Sequence, residues 1–217
     1  MQEQEIKEYL KNNPEFFEQN AHLLADIHLP SPHGNGTISL AERQQLAQRD
    51  KINALETMFA ELVLNAKEND GIANKIHTFN LHLQRAKNFD ALEQLISHDL
   101  PEYFELSDTC LRIWANPLDS KNRKNLVFSS VNDDTKTWVA AQLSPYCGEP
   151  PEIVADDWFI EPAASMALIP LRSEQTIGFL ALVSDDENRF FAEMGTDFLS
   201  KIGELVSAAL SRNLDLT

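Results

Sequence analysis

The fold is decided towards the end of the chain, where residues 164–184 read ASMALIPLRSEQTIGFLALVS. Two apolar runs, residues 164–171 and 176–184, enclose four residues that include an arginine and a glutamate. A connection this short between two such runs predicts a β-hairpin. Because both runs are apolar on both faces, the two strands are predicted to be central in a sheet that is covered on both sides.

A further strand is predicted where Cys110, Arg112 and Trp114 alternate with Leu111 and Ile113. Successive side chains of a strand point to opposite faces, so these two sets are expected on the two faces of the sheet.

The remaining segments of this region complete an α+β domain with one antiparallel sheet. They are a helix at 89–100 ended by Pro101, a strand at 125–131, a helix at 133–143, a proline-rich loop at 145–157 and a closing helix at 189–212. The predicted order is therefore helix, two strands, helix, loop, two strands, helix.

The preceding part of the chain is predicted to be helical. No proline lies between Pro32 and Pro101, and Ser39-Leu40-Ala41-Glu42 has the form of a capping box. A helix over residues 39–86 would be about 72 Å long. The predicted segments are short helices and a loop at 1–36, a long coiled-coil dimerisation helix at 37–88, and the sheet domain at 89–217.

The long helix carries apolar residues at seven-residue intervals, the pattern of a coiled coil. The two series of seam positions are Leu55, Leu62, Asn69, Ile76 and Leu83, and Met58, Asn65, Ile72, Phe79 and Ala86. A lone helix cannot bury such a seam, so either the short N-terminal helices or a second copy of the chain must cover it. We expect a parallel homodimer in which Asn65 and Asn69 fix the register.

The charge balance excludes several partners. The chain has 18 basic and 34 acidic side chains, a net charge of −16, which disfavours binding to nucleic acid or to an anionic membrane. It contains neither an apolar run of 18 residues nor a signal sequence, and its two cysteines cannot form a disulfide-rich scaffold. We expect a cytoplasmic protein.

The predicted sheet resembles a GAF domain. GAF domains typically carry a strand ending in Ile/Val-Pro-Leu, a hairpin and a Gly-x-Leu-x-Leu strand. Here Ile169-Pro170-Leu171 and Gly178-Phe179-Leu180-Ala181-Leu182 stand at those positions. Ser184-Asp185, Arg189-Phe190 and the closing helix follow, so the resemblance implies a GAF-like sheet with flanking helices.

The whole chain is similar to a proteobacterial family of unknown function that pairs a helical N-terminus with a GAF-like domain. The stretches that carry the similarity are Tyr9-Leu10, Asn13-Pro14-Glu15-Phe16-Phe17, Leu29-Pro30, Ser39-Leu40, Glu42-Arg43-Gln44, Asn65-Ala66, Asn69-Asp70, Leu111-Arg112-Ile113-Trp114 and Tyr146-Cys147-Gly148. This similarity implies an organisation, and no activity.

GAF-like domains bind small ligands on one face of the sheet, so the resemblance also implies a ligand site. Its lining would be Arg112, Trp114, Trp138, Tyr146, Cys147, Trp158 and Ser165. The alternative is that these residues fill the core and that the domain serves only as a dimer module. Any ligand is expected to be apolar or mildly polar, because the sheet region is strongly acidic.

Motifs for catalysis or for a cofactor are missing, and neither an enzyme nor a metal or cofactor site is predicted. We expect a sensory or interaction module that binds a small molecule or a protein. A purely structural adaptor with a filled pocket is the first alternative. A redox enzyme of the methionine-sulfoxide-reductase type, using Cys110 and Cys147, is the second, although Cys147 is more simply a buried structural thiol.

Overall fold

A computed structural model of the chain describes residues 2–31, 36–155, 158–159 and 163–216. The chain forms two compact units, residues 1–67 and 68–217. None of the described helices is both long enough and apolar enough to cross a membrane.

The first unit begins with three short helices, α1 (Glu3–Asn12), α2 (Glu15–Gln19) and α3 (Leu23–Asp26). Two short antiparallel strands follow, β1 (His28–Pro30) and β2 (Thr37–Ser39). None of the described residues between 2 and 67 is buried. The loop predicted at residues 29–36 begins within β1, and its residues 32–35 lie outside the described residues.

The long helix predicted from the capping box is confirmed as α4 (Leu40–Arg85), a helix of 46 residues. The backbone N–H of Ser39 donates to the Glu42 carboxylate at 2.9 Å, and the N–H of Glu42 donates to Ser39 Oγ at 3.2 Å. These reciprocal bonds satisfy two donors at the helix start. They also lower the pKa of the Glu42 carboxyl group, because the carboxylate accepts both the backbone and the side-chain hydrogen bond of Ser39.

The second unit is built on a four-stranded antiparallel sheet, which confirms the predicted α+β class. Its strands, in spatial order, are β3 (Asp108–Ile113), β7 (Thr176–Ser184), β6 (Ser165–Arg172) and β5 (Tyr146–Gly148). The predicted hairpin is β6–β7, and its two strands are central and almost wholly buried. Gly178 lets β7 approach β3 closely, since a Cβ at that position would lie 2.3 Å from the Arg112 carbonyl oxygen.

Each face of the sheet has its own apolar core. On one face, Leu111 and Ile113 join a cluster with residues of the C-terminal part of α4, of α5 (Phe89–Gln94) and of α8 (Asp197–Ser211). On the other face, Cys110 joins a cluster with Val139 of α7 (Asp133–Ala141). The predicted alternation of this strand is therefore confirmed.

The helix predicted to end at Pro101 continues past it. A π-helical segment, Leu95–Asp99, links α5 to α6 (Leu100–Phe104). Proline is tolerated in the first turn of a helix, and the wide π turn removes the clash that an ordinary α turn would create. The helix ends instead at Glu105, whose φ of 55° is left-handed.

Three other boundaries differ from the sequence prediction. Residues 125–131 are not a strand, because Asn125 Oδ1 accepts the N–H of Val127 at 2.9 Å and starts a 3-10 turn, Leu126–Phe128. The predicted loop at 145–157 contains the edge strand β5. The closing helix begins only at Asp197, since Gly195 disfavours the helical conformation. Two-residue strands β4 (Asn116–Pro117) and β8 (Leu214–Asp215) pair beside the sheet.

Candidate functional site

Five of the predicted ligand-site residues lie on one face of the sheet. Arg112 and Trp114 extend the alternating series of Cys110, and three aromatic residues from other segments pack against the same apolar cluster. Those three residues are Trp138, Tyr146 and Trp158. The structure therefore gathers a cation and four aromatic side chains from segments that are far apart in the sequence.

The centre of this face is a stack of three side chains. The ring of Trp158 lies parallel to that of Phe179, with 5.3 Å between centroids and 28° between planes. Cζ of Arg112 lies 5.4 Å from the Trp158 ring centroid, which is cation–π distance. Arg112 also donates from Nη1 to the Leu111 carbonyl oxygen at 3.0 Å. The arginine is thus held by an aromatic ring and by its own strand.

The other aromatic residues are fixed by hydrogen bonds and edge contacts. Trp114 donates from Nε1 to the Thr176 carbonyl oxygen at 2.8 Å. Tyr146 donates from its hydroxyl to the Glu149 carbonyl oxygen at 2.7 Å, and its ring meets Trp138 edge-on at 5.4 Å. The polar tips of Trp114 and Tyr146 therefore lie on backbone within the same unit.

The described part of this face is already filled by the chain's own side chains. Met166, Leu168 and Phe179 are fully buried beneath the aromatic residues. An enclosed ligand pocket here would require several of these side chains to move. Asp156 and Asp157, the two acidic residues that precede Trp158, lie outside the described residues.

Cys147 and Ser165 lie on the opposite face and do not join the other five. Cys147 pairs with Ala167 across β5 and β6, and both belong to the cluster beneath the helices. Ser165 Oγ donates to the Asp186 carbonyl oxygen at 2.6 Å and accepts the N–H of Phe190 at 3.3 Å. Both positions depended on a register that the sequence did not reveal.

Burial of the Cys147 thiol disfavours its thiolate form. Burial raises its pKa to about 11, so it is protonated at neutral pH, whereas the thiolate is the reactive form. Cys110 lies on β3 and Cys147 on β5, with β7 and β6 between them. Three strand spacings amount to about 14 Å. A disulfide needs Cα atoms within about 7 Å, so the folded sheet keeps the two thiols apart.

No group of three or more His, Cys, Asp or Glu side chains able to hold a metal ion occurs in the part of the chain that the structure describes.

A small, largely apolar groove lies on the helical face, with a volume of about 210 Å³. Its lining includes Ile72, Leu106, Leu182, Met194, Phe198 and Ile202.

The seam residues of α4 divide into two groups. Ile76, Phe79 and Leu83 are buried in the core of the second unit, and Ile72 and Ala86 pack at its margin. The heptad pattern predicts that the short N-terminal helices or a second copy cover them. Their actual partner is the sheet domain of their own chain, because the helices that follow α4 fold back over this end.

The other group of seam residues is exposed. Leu55, Met58 and Leu62 have 53%, 59% and 60% of their surface accessible, and Asn65 and Asn69 are exposed beside them. Two residues outside the predicted series are exposed on the same side, Ile52 at 54% and Phe59 at 68%. We call Ile52, Leu55, Phe59 and Leu62 the α4 stripe. The spacing of three, four and three residues could have identified it from the sequence.

Comparison with known proteins gives consistent matches along the whole chain. A family model described as "Protein of unknown function, DUF484" matches residues 1–215. Relatives described as "Uncharacterized protein YigA" occur in Salmonella typhimurium, at 25% identity over 216 residues, and in Escherichia coli, at 26% over 214 residues. A third, from Shigella flexneri, is 27% identical over 214 residues. Each match covers 95% of this chain and 90% of the relative.

Proposed function

The chain belongs to the DUF484 family of proteins of unknown function, and we propose that it is a non-enzymatic regulatory module that acts by binding a protein along α4. The observation that carries this proposal is the exposed α4 stripe. Four large apolar side chains on one side of a helix, each more than half accessible, form a surface that soluble chains normally cover.

The contacts of α4 support an interaction role for this helix over a merely structural one. Its C-terminal part is anchored in a core through Ile76, Phe79 and Leu83, and Lys75 pairs with Glu105 at 3.1 Å. Arg212 also donates from Nη2 to the Leu83 carbonyl oxygen at 3.1 Å. The sheet domain, which we take to be GAF-like, thus holds one end of the same helix that offers the stripe. Binding along the stripe would act on an element built into that domain.

The described sheet face favours a protein-binding module over an enzyme. The polar tips of Trp114 and Tyr146 are satisfied by backbone, and the centre of this face is filled. On the opposite face the Cys147 thiol is protonated. No side chain among these is arranged as a nucleophile beside a base.

A small-molecule sensor is the second candidate, and the apolar groove lined by Leu182, Phe198 and Ile202 favours it. A compact apolar molecule would suit this lining. A thermal-shift series with small apolar compounds tests it. A saturable rise in melting temperature that is lost in Leu182→Asn supports a site there, and a rise that survives this change places the site elsewhere.

The proposal itself is tested by photocrosslinking inside bacteria. A photoreactive amino acid replaces Leu62 in the stripe or, as the control, Thr57, which is exposed on the outer side of α4. We expect a discrete crosslinked product from position 62 and much less from position 57. Equal products from both positions, or none from either, would overturn the proposal.

A further inference from the structure

The first unit lacks a core of its own. None of its described residues between 2 and 67 is buried, although it contains three short helices, a strand pair and much of α4. Helices in proteins gain most of their stability from packing an apolar face. A surface that packs along the α4 stripe would supply this stability.

We propose that the occupant of the α4 stripe is a second copy of this chain, with the two α4 helices parallel and in register. This inference rests on the proposed function, since it names the partner of the same surface. The stripe continues the alternation of three and four residues through Ala66 and Asn69. In a parallel dimer these positions meet their own counterparts, so that Asn69 faces Asn69 and pairs through its amide.

The residues that border the stripe fit this arrangement. In a parallel coiled coil, the residue just before each a position, here Ile52, Phe59 and Ala66, faces on the other helix the residue five positions further along. Lys51 then meets Glu56 of the second copy, a pair of opposite charges. The next pair is Met58 with Val63, both apolar and both exposed in the single chain. Charged side chains thus meet each other, and so do apolar ones.

The third pair is Asn65 with Asp70, an amide with a carboxylate. This gives Asn65 a role beside the core of the coiled coil, while Asn69 lies within it. Along each border of the dimer, each residue therefore faces one of compatible chemistry: opposite charges, two apolar side chains, and an amide with a carboxylate.

An antiparallel pair fits less well if its core layers run from Ile52 to Asn69, with Ile52 opposite Asn69 and Phe59 opposite Leu62. It would set Arg49 against Asp70, a favourable contact. It would also set Glu56 against Val63, and Lys51 against Ile72, so that charged side chains face apolar ones. Ile72 is already packed against the core of the second unit.

Cysteine crosslinking of the full chain tests the partner and the register. Leu62→Cys places a thiol at a core position, where the two copies of a parallel, in-register dimer come within disulfide distance. Thr57→Cys is the matched control on the outer side of α4, and the native Cys110 and Cys147 are buried. Under mild oxidation we expect Leu62→Cys to run as a covalent dimer that reductant reverses, and Thr57→Cys to remain uncrosslinked.

Charge exchange tests the orientation. Lys51→Glu alone sets two acids against each other at both borders of the dimer. It should raise the dimer dissociation constant by roughly three- to tenfold. The double variant Lys51→Glu, Glu56→Lys should restore the wild-type value. Lys51 and Glu56 are five residues apart on one helix and do not share a face, so an effect within one copy does not predict this rescue.

Three results would overturn the inference. They are a purified chain that is monomeric at micromolar concentration, a dimer in which Leu62→Cys does not crosslink, and a double variant that binds no better than Lys51→Glu. A monomer whose position-62 photoproduct contains a different protein would refute the second copy and leave the proposed function standing. A monomer without any photoproduct would refute both.

Discussion

Gly203 lies where α8 crosses the sheet, and a Cβ built on it would stand 2.5 Å from Cγ2 of Ile169. Ile169 is 1% exposed, so it has little room to move away. Glycine at this position lowers the helix propensity of α8 but allows the helix to approach the strand closely.

Gly203→Ala is therefore expected to destabilise the second unit by about 1–3 kcal/mol, despite the better helix propensity of alanine. Gly71→Ala is the matched control, because nothing lies within 4 Å of a Cβ at that helical position. It should stabilise the chain by up to about 1 kcal/mol. Urea unfolding of both variants measures the change in the free energy of unfolding that each substitution causes. A neutral or stabilising Gly203→Ala would show that α8 does not pack this closely on β6.

Cys147 provides a prediction about pH. Its pKa of about 11 in the folded chain lies above the ordinary value of 9.0, because burial penalises the thiolate. Below pH 9 the thiol is protonated in both states, and its contribution to stability is fully present. Between about pH 9 and pH 11 the unfolded chain loses the proton first, so the free energy of unfolding falls as pH rises.

Cys147→Ala removes this contribution. The wild-type chain should lose at least about 1 kcal/mol more than the variant between pH 8.5 and pH 10.5. Urea titrations at both pH values measure the difference, and parallel losses in the two proteins would refute the buried, protonated thiol. In the same folded chain, we expect Cys147 to resist alkylation at pH 8.

At the scale of elements, α4 serves two different environments along one continuous helix. Its N-terminal part offers the exposed stripe, and its C-terminal part is core. Equivalent substitutions in the two parts should therefore have opposite consequences for folding and for assembly.

Leu62→Asp, combined with Leu55→Asp, should abolish the dimer and leave the second unit folded. Ile76→Asp should instead unfold the second unit, because it buries an unpaired carboxylate at a site only 7% exposed; the loss should be about 3–5 kcal/mol. Near-ultraviolet circular dichroism reports folding, and light scattering reports assembly. A stripe variant that unfolds the sheet domain would contradict this division of α4.

The sequence predicted the elements whose signal is local. The capping box at Ser39 located the start of α4 within one residue, and the apolar runs around residues 172–175 identified the central hairpin. Alternation alone placed Leu111 and Arg112 on their correct faces. In each case a short stretch contains enough information to fix the structure.

The predictions that were wrong concern elements that depend on distant contacts, or on a side chain that competes with the backbone for hydrogen bonds. The Asn125 side chain replaced a predicted strand with a turn, and a π segment carried the helix past Pro101. The faces of Cys147 and Ser165 follow from the pairing of β5 with β6, which no local pattern specifies. The predicted intermolecular seam of α4 extended too far along the helix, because Ile76 and Leu83 pack within their own chain.

At the scale of the whole molecule, burial is distributed very unequally. Every described buried residue lies at or beyond Ile76, within the second unit. The net charge of −16 opposes association in general, so a specific apolar surface is needed to hold two copies together. In the proposed dimer the α4 stripe supplies that surface, and Asn69 and the Lys51–Glu56 pair select register and direction.

Sedimentation equilibrium of the full chain at micromolar concentration tests pairing through the α4 stripe most directly. The Leu55→Asp, Leu62→Asp variant is measured beside it. The wild-type chain should have twice the mass of the 24.5 kDa monomer, and the variant should have the monomer mass. A wild-type mass of 24.5 kDa, or a variant that remains dimeric, would contradict pairing of two copies through the α4 stripe.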